Sequence, residues 1–414
     1  MKYYKFLFIL LCFQFYISTS KSMTVTCYYA SWAVYRPGIG KYDIDDLDPT
    51  ICTHLIYSFV GINSNGTIRL QDPELDIGKG ALYKFNAIKT RNPKLKTLVA
   101  IGGWTESPER FSKVASDPQL RKVLVEDVVK FLKTYGFDGL DFDWEYPTAR
   151  GGVKEDKENF SILLKELKDE FVKHQFMLTA AVAAIPKQVK QSYDIPEISK
   201  YLDAIHVMTY DLHSAFDNVT GENSPLFSSI EERDKTRNVD SCIQYWIENG
   251  APKHKIVLGM GSYGISYTVS KDLKSFKVGV PALGPGNPGF YTNQSGMLAY
   301  YEICNKTKRN EWTVSRDHAQ KVPYAYGDGQ WVGYDDTFSV KQKMKYANRH
   351  KLNGVMVWTI DTDDFRGICQ TKKYPLLSVM RKYSKPKKII QKKRKYKGKI
   401  KSCIKNACKR RFNS

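Results

Sequence analysis

Asp138-Gly139-Leu140-Asp141-Phe142-Asp143-Trp144-Glu145-Tyr146-Pro147 is a stretch of this 414-residue chain in which acids alternate with large apolar side chains. On a strand, residues two apart share a face. Asp141, Asp143 and Glu145 therefore point together, with Glu145 at the carboxyl-end rim, while Phe142 and Trp144 face covering helices or the wall of a cleft. Stacked acids in a poorly solvated interior resist joint ionisation. Some of these carboxyls should share protons, and the outermost should be held protonated near neutral pH, as a general acid requires. A calcium loop is excluded by its spacing: counted from Asp141, the sixth position is Tyr146 rather than Gly and the twelfth is Gly152 rather than Glu.

Short apolar runs of the same kind recur on both sides of this stretch: Thr24–Tyr29, His54–Phe59, Lys96–Ile101, Met177–Val182, Ala204–Thr209, Lys255–Met260 and Gly354–Thr359. Most are continuous rather than alternating, as strands covered on both faces are, and helical periodicity follows each. Leu120–Thr134, for example, begins after Asp117-Pro118 and ends near Gly136. With Gly139–Trp144 these make eight strands separated by helices, which predicts an α/β fold, a (β/α)8 barrel spanning residues 23–383. The gap before the last strand is too long for one crossover. Its Gly-, Pro- and Tyr-rich segment, about 267–335, is expected to form a small inserted α+β domain.

The formal net charge of +21 is not spread evenly. Arg381 to Ser414 holds 16 Lys/Arg and no acid, which leaves +5 for everything before it. That split disfavours a nucleic-acid-binding body. Residues 384–414 read instead as a basic tail, disordered and suited to an anionic glycan or surface. At the other end, Lys2 and Lys5, the apolar run Phe6–Ile17 and Ser18-Thr19-Ser20 read as a signal peptide over residues 1–22. The run is too short to anchor in a bilayer, so a secreted, extracellular protein with no membrane span is expected. Sequons at Asn65, Asn159, Asn218, Asn293 and Asn305 fit that route. Seven cysteines remain after Cys12, an odd number, so at least one is unpaired within the chain. Cys27 lies in the first strand region and Cys52 just before the second, where neighbouring barrel strands would bring them together. Cys242, among Ile243, Trp246 and Ile247, reads as a buried free thiol.

The carboxylate stretch resembles the Asp-x-x-Asp-x-Asp-x-Glu signature of family 18 glycoside hydrolases, the chitinases, in every acid and spacing. The likeness runs from about Thr24 to Tyr383. Val25–Tyr29 with Trp32, Cys52–Phe59, Ala100–Trp104, Met208–Asp211 and Val357-Trp358 are similar to the family's first, second, third, sixth and eighth strands, and Gly296–Cys304 to part of its inserted domain. The resemblance implies a substrate-assisted, retaining hydrolysis of chitin or chitooligosaccharides with no cofactor and no metal. Under it Glu145 is the acid and then the base, Asp143 orients the 2-acetamido group, Asp141 shares a proton with Asp143, Tyr210 binds the acetamido oxygen, and Asp138 supports the strand from below. It further implies a disulfide between Cys304 and Cys369. Trp358 would floor the site, with Tyr28, Phe59, Trp104, Met208 and Asp211 as substrate contacts and Phe216 and Tyr267 as further cleft candidates.

Departures from the family pattern are also legible. Tyr263-Gly264-Ile265 lacks a cation that relatives often place there, Phe216 stands where many have Trp, and Gly261 replaces a frequent Pro. These bear on affinity and subsite preference more than on chemistry. The rival from another class is a chitinase-like lectin, whose members typically replace the acid that this chain keeps at Glu145.

Overall fold

The structure, a computed structural model, describes residues 22–369 and 372–385. The expected signal peptide and nearly all of the basic tail lie outside the described residues. In chain order the strands are β1 (Thr24–Ala30), β2 (His54–Ile62), β3 (Ile68–Leu70), β4 (Lys96–Gly102), β5 (Gly139–Asp143), β6 (Met177–Val182), β7 (Ala204–Val207) and β8 (Ile256–Gly261). They continue with β9 (Tyr263–Thr268), β10 (Gly284–Pro285), β11 (Met297–Ala299), β12 (Thr313–Asp317), β13 (Val322–Gly327), β14 (Gln330–Gly333) and β15 (Gly354–Trp358).

Eight of these strands are parallel and hydrogen-bonded in the order β1-β15-β8-β7-β6-β5-β4-β2, and β1 pairs with β2 to close a (β/α)8 barrel. β3 pairs antiparallel with the far end of β2 as a short hairpin that the apolar runs did not announce. Two helices follow β4, Pro108–Ser116 and Pro118–Tyr135; for the second, Asp117 accepts hydrogen bonds from Gln119 N and Leu120 N, and Gly136 ends the helix at φ 78°. Those are the N-cap, N1 proline and C-terminal glycine that the sequence signals.

Alternation on β5 divides the molecule's two cores. Phe142 and Trp144 point outward and pack on Phe111 and Phe160 of the surrounding helices. Inside the barrel, Tyr28, Ile56, Leu98, Ala100, Ala181, Val257 and Met356 form a second cluster. It continues upward through Tyr263, Tyr267 and Trp331 into the inserted sheet. That sheet has six strands, ordered β10-β9-β14-β13-β12 with β11 on β9, and carries the helix Tyr300–Lys308. It starts at Tyr263, four residues before the expected 267, because a single residue separates β9 from the end of β8. The apolar character runs straight through that junction, so no turn signal marks it.

Two disulfides close this body, Cys27–Cys52 with Cα atoms 6.2 Å apart and Cys304–Cys369 with Cα atoms 5.6 Å apart. Cys242 is buried and unpaired, and burial pushes its thiol up to about 12, away from reactivity.

Candidate active site at the barrel mouth

Register places the acids. Asp141 stands opposite Thr179 on β6, and the Thr179 hydroxyl donates to Asp141 Oδ1. The Tyr28 hydroxyl donates to Asp141 Oδ2 at 2.7 Å, and His206 Nδ1 on β7 lies 3.1 Å from Oδ1. Asp141 is thus the anchored bottom of the column. Asp143, one step higher, is buried, and its Oδ1 has no hydrogen-bond partner within the protein. Burial, then the charges of Glu145 and Asp141, holds its carboxyl well above the ordinary range.

Glu145 lies just past the end of β5, half-buried at the rim. Its pKa rises to about 7: burial raises it, a hydrogen bond from Tyr146 lowers it, Asp211 raises it and the positive Arg150 lowers it. Two glycines make room for this column. Gly102 at φ 121° passes so near Asp143 O that a Cβ would collide with it, and Gly103 at φ 85° lies against the Phe59 ring. Gly103 N donates to Asp143 O at 2.9 Å. Gly102 thus lets β4 close on β5, and Gly103 lets the chain close on Phe59 of β2. Asp138 sits at the other end of β5, where it accepts from Lys89 and Lys96, both at 2.9 Å, and from Thr97 N.

Tyr210 and Met208 line the interior beside this column, the Tyr210 hydroxyl 3.9 Å from Met356 Sδ. Asp211 is not a helix cap, since the helix following β7 begins only at Val239. Instead its backbone takes φ 51°, its N–H donates to Asn223 Oδ1 and its carboxylate accepts from the Tyr263 hydroxyl at 2.6 Å. It opens onto the cleft, yet protein packed around it lifts its pKa to about 6. Tyr263 therefore tethers Asp211 in a chain that lacks the neighbouring cation at Ile265.

The aromatic residues differ in exposure. Trp358 is stacked on Phe59 at 5.5 Å and tilted against Tyr28 at 5.6 Å. Trp32, which the sequence offered only as a strand match, is 43% exposed and stacks on Phe59 at 6.1 Å. Trp104, just past the end of β4, is 60% exposed, and Phe216 is exposed too. Tyr28, Phe59 and Tyr267 are buried, as are Tyr210 and Met208. Phe59 backs the two tryptophans, Tyr28 serves Asp141, and Tyr267 packs on Trp331 beneath the inserted sheet. His206, Thr179, Tyr263 and Arg150 join the site without having been singled out.

Among the described residues, the one group of three potential metal ligands within 4.8 Å is Cys304, Asp364 and Cys369. Its two sulfurs are spent on a disulfide and Asp364 accepts from Ile368 N and Cys369 N, so it does not fit a metal.

A parallel eight-stranded barrel carrying a graded column of carboxyls at its carboxyl end defines a class of glycoside hydrolase. The chain belongs to the glycosyl hydrolases family 18, whose pattern matches residues 24–363. It is 39% identical over 379 residues to an endochitinase of Manduca sexta, an alignment covering 89% of this chain and 68% of that protein. The solved Group IV chitinase of Ostrinia furnacalis superposes with a TM-score of 0.85 at 44% identity, over 87% of this chain and 99% of that one. A human protein, YKL-39, described as a pseudo-chitinase with retained chitooligosaccharide binding, superposes at 0.81 with 35% identity, over 87% and 99% of the two chains.

Proposed function

We propose that this protein is a secreted chitinase that hydrolyses β-1,4-linked N-acetylglucosamine with net retention. The observation that carries the reading is the column Asp141–Asp143–Glu145, in which three carboxyls meet three different surroundings. Glu145, with its pKa at about 7, still holds a proton at mildly acidic pH and protonates the leaving glycosidic oxygen. Asp143 has a buried oxygen free of protein partners, which is open to the substrate's acetamido N–H. Held there, the acetamido oxygen attacks the anomeric carbon as the glycosidic bond breaks, forming an oxazolinium ion, and no protein nucleophile is needed. Tyr210 donates to that acetamido oxygen. Asp141 keeps its donors from Tyr28 and Thr179 throughout and takes up charge with Asp143 as the positive ring develops. Glu145, now ionised, removes a proton from the incoming water, which opens the oxazolinium from the side the leaving group left.

The exposed tryptophans support a polysaccharide substrate, because sugar C–H faces stack on aromatic rings. Export is supported by the N-terminal apolar run, by the two disulfides, which persist in oxidising compartments, and by the described residues having no helix long and apolar enough to cross a membrane. The likeness to YKL-39 favours a binder as the alternative, and Glu145 is the residue that weighs against it. The deciding experiment is the reaction of the purified chain with a chitin hexamer, beside Glu145→Gln, with product anomers followed by NMR. Release of β-anomeric products by the wild type alone is expected. Binding without shorter products would establish the lectin.

A further inference from the structure

The Arg150 guanidinium lies 3.8 Å from the centre of the Trp104 ring. In the same pose it donates to two carbonyl oxygens, Glu145 O through Nη1 at 2.9 Å and Trp104 O through Nη2 at 2.8 Å. Its backbone takes φ 53°, within turns closed by Ala149 N to Tyr146 O and Gly152 N to Ala149 O, both at 3.0 Å. Arg150 is therefore not a free surface arginine. A planar, forked guanidinium can stack and donate in two directions at once, which an ammonium cannot. The outcome is a permanent positive charge fixed between the catalytic turn and an aromatic platform.

Two consequences follow for a sugar placed on Trp104. One ring face is covered by the guanidinium, yet the tryptophan remains 60% exposed, so the other is open for stacking. Two acids of the site, Glu145 and Asp211, are held protonated to higher pH than usual, while a guanidinium stays charged at every working pH. Chitin in nature is partly deacetylated, and each deacetylated unit carries an ammonium where the neutral acetamide was.

We propose that Arg150 is a specificity-determining residue, a fixed cation that admits N-acetylglucosamine and rejects protonated glucosamine at the sugar position stacked on Trp104. This rests on the chitinolytic reading of the cleft. Like charges about 7 Å apart, between water and a protein surface, alter a binding ratio by about 3- to 50-fold.

The test uses fully acetylated and partly deacetylated oligomers of one length, with turnover measured on the intact enzyme and binding by calorimetry on Glu145→Gln. Arg150→Gln should narrow the preference for the acetylated oligomer by at least about threefold, the lower end of that range. Arg150→Lys, which keeps charge but loses the stacked fork, should weaken binding of both oligomers while retaining the preference. The proposal is overturned if Arg150→Gln leaves the ratio within about twofold, if it weakens both oligomers equally, or if Arg150→Lys loses the preference as fully as Gln. Because the ratio is read in binding as well as turnover, absence of hydrolysis by the wild type would refute the chitinolytic reading and leave this one to its own measurement.

Discussion

Tyr28 and Asp141 are joined across the barrel interior, hydroxyl to Oδ2 at 2.7 Å, although 113 residues separate them. Both are buried, and His206 Nδ1 closes the group 2.9 Å from the same hydroxyl. Removing the hydroxyl leaves one oxygen of a buried carboxyl short of a donor, a loss worth about 1–3 kcal/mol. On the proposed mechanism Asp141 acts through Asp143, so the effect is expected in the chemical step. Tyr28→Phe is expected to lower kcat about 10- to 100-fold and leave KM within about threefold, measured on a chitin oligomer. An unchanged kcat would return Tyr28 to the ordinary core.

On the proposed mechanism Glu145 should set the alkaline limit. Its carboxyl must be protonated to act and titrates at about 7, so kcat/KM should be flat in mildly acidic buffer and fall roughly tenfold per pH unit above neutrality. Glu145→Gln should lose about 10²–10⁴-fold in rate and abolish that limb while still binding the oligomer. A limb at the ordinary carboxylate value near 4 would mean that the rim is wetter than its packing indicates.

Much of this was legible in the chain, and what was not has identifiable physical causes. Eight apolar runs gave the barrel because continuous apolar strands are what a sheet covered on both faces demands. The acids were legible because period-two alternation put them on one face. His206 was hidden although it sits between Ala204 and Met208 on the inward face of β7. A lone polar residue in an apolar run declares a partner without naming it, and here the partner is two strands away. Arg150 was hidden because its role depends on a left-handed turn that brings it back over Trp104. The packing of Tyr28 and Phe59 against Trp358 was not legible, because residue type cannot say which rings stack on one another.

Cys304–Cys369 encloses 65 residues of separation and ties the helix of the inserted domain to the segment after β15. Loop-closure entropy assigns a cross-link of that span about 4 kcal/mol, against about 3.5 for the 25-residue separation of Cys27–Cys52. The double variant Cys304→Ser, Cys369→Ser should therefore lower unfolding stability in urea by about 2–4 kcal/mol and leave KM for short oligomers unchanged, since no cleft residue is touched. A large rise in KM with little loss of stability would show that the inserted domain's placement, not the chain's entropy, is what this bridge controls.

His54 gives the body an acid-sensitive point away from the cleft. It begins β2, half-buried, with Nδ1 2.8 Å from the Thr53 hydroxyl. Burial, together with the charges of His206 and Lys96 and against that of Asp138, lowers its pKa from 6.5 to about 4. The folded state thus prefers the neutral ring, and the unfolded chain binds the proton more readily. The sign follows: His54's contribution to stability is fully present above pH 6.5 and is lost as pH falls from 6.5 toward 4. Between pH 7.5 and 5 the loss should be about 1–2 kcal/mol, reduced from the full shift because the ring is only half-buried. His54→Gln cannot take up the proton, so its urea midpoint should move less than the wild type's over that interval, each measured at both pH values. Equal displacement of the two midpoints would assign the acid sensitivity to other groups and leave His54 a passive spacer at the foot of the barrel.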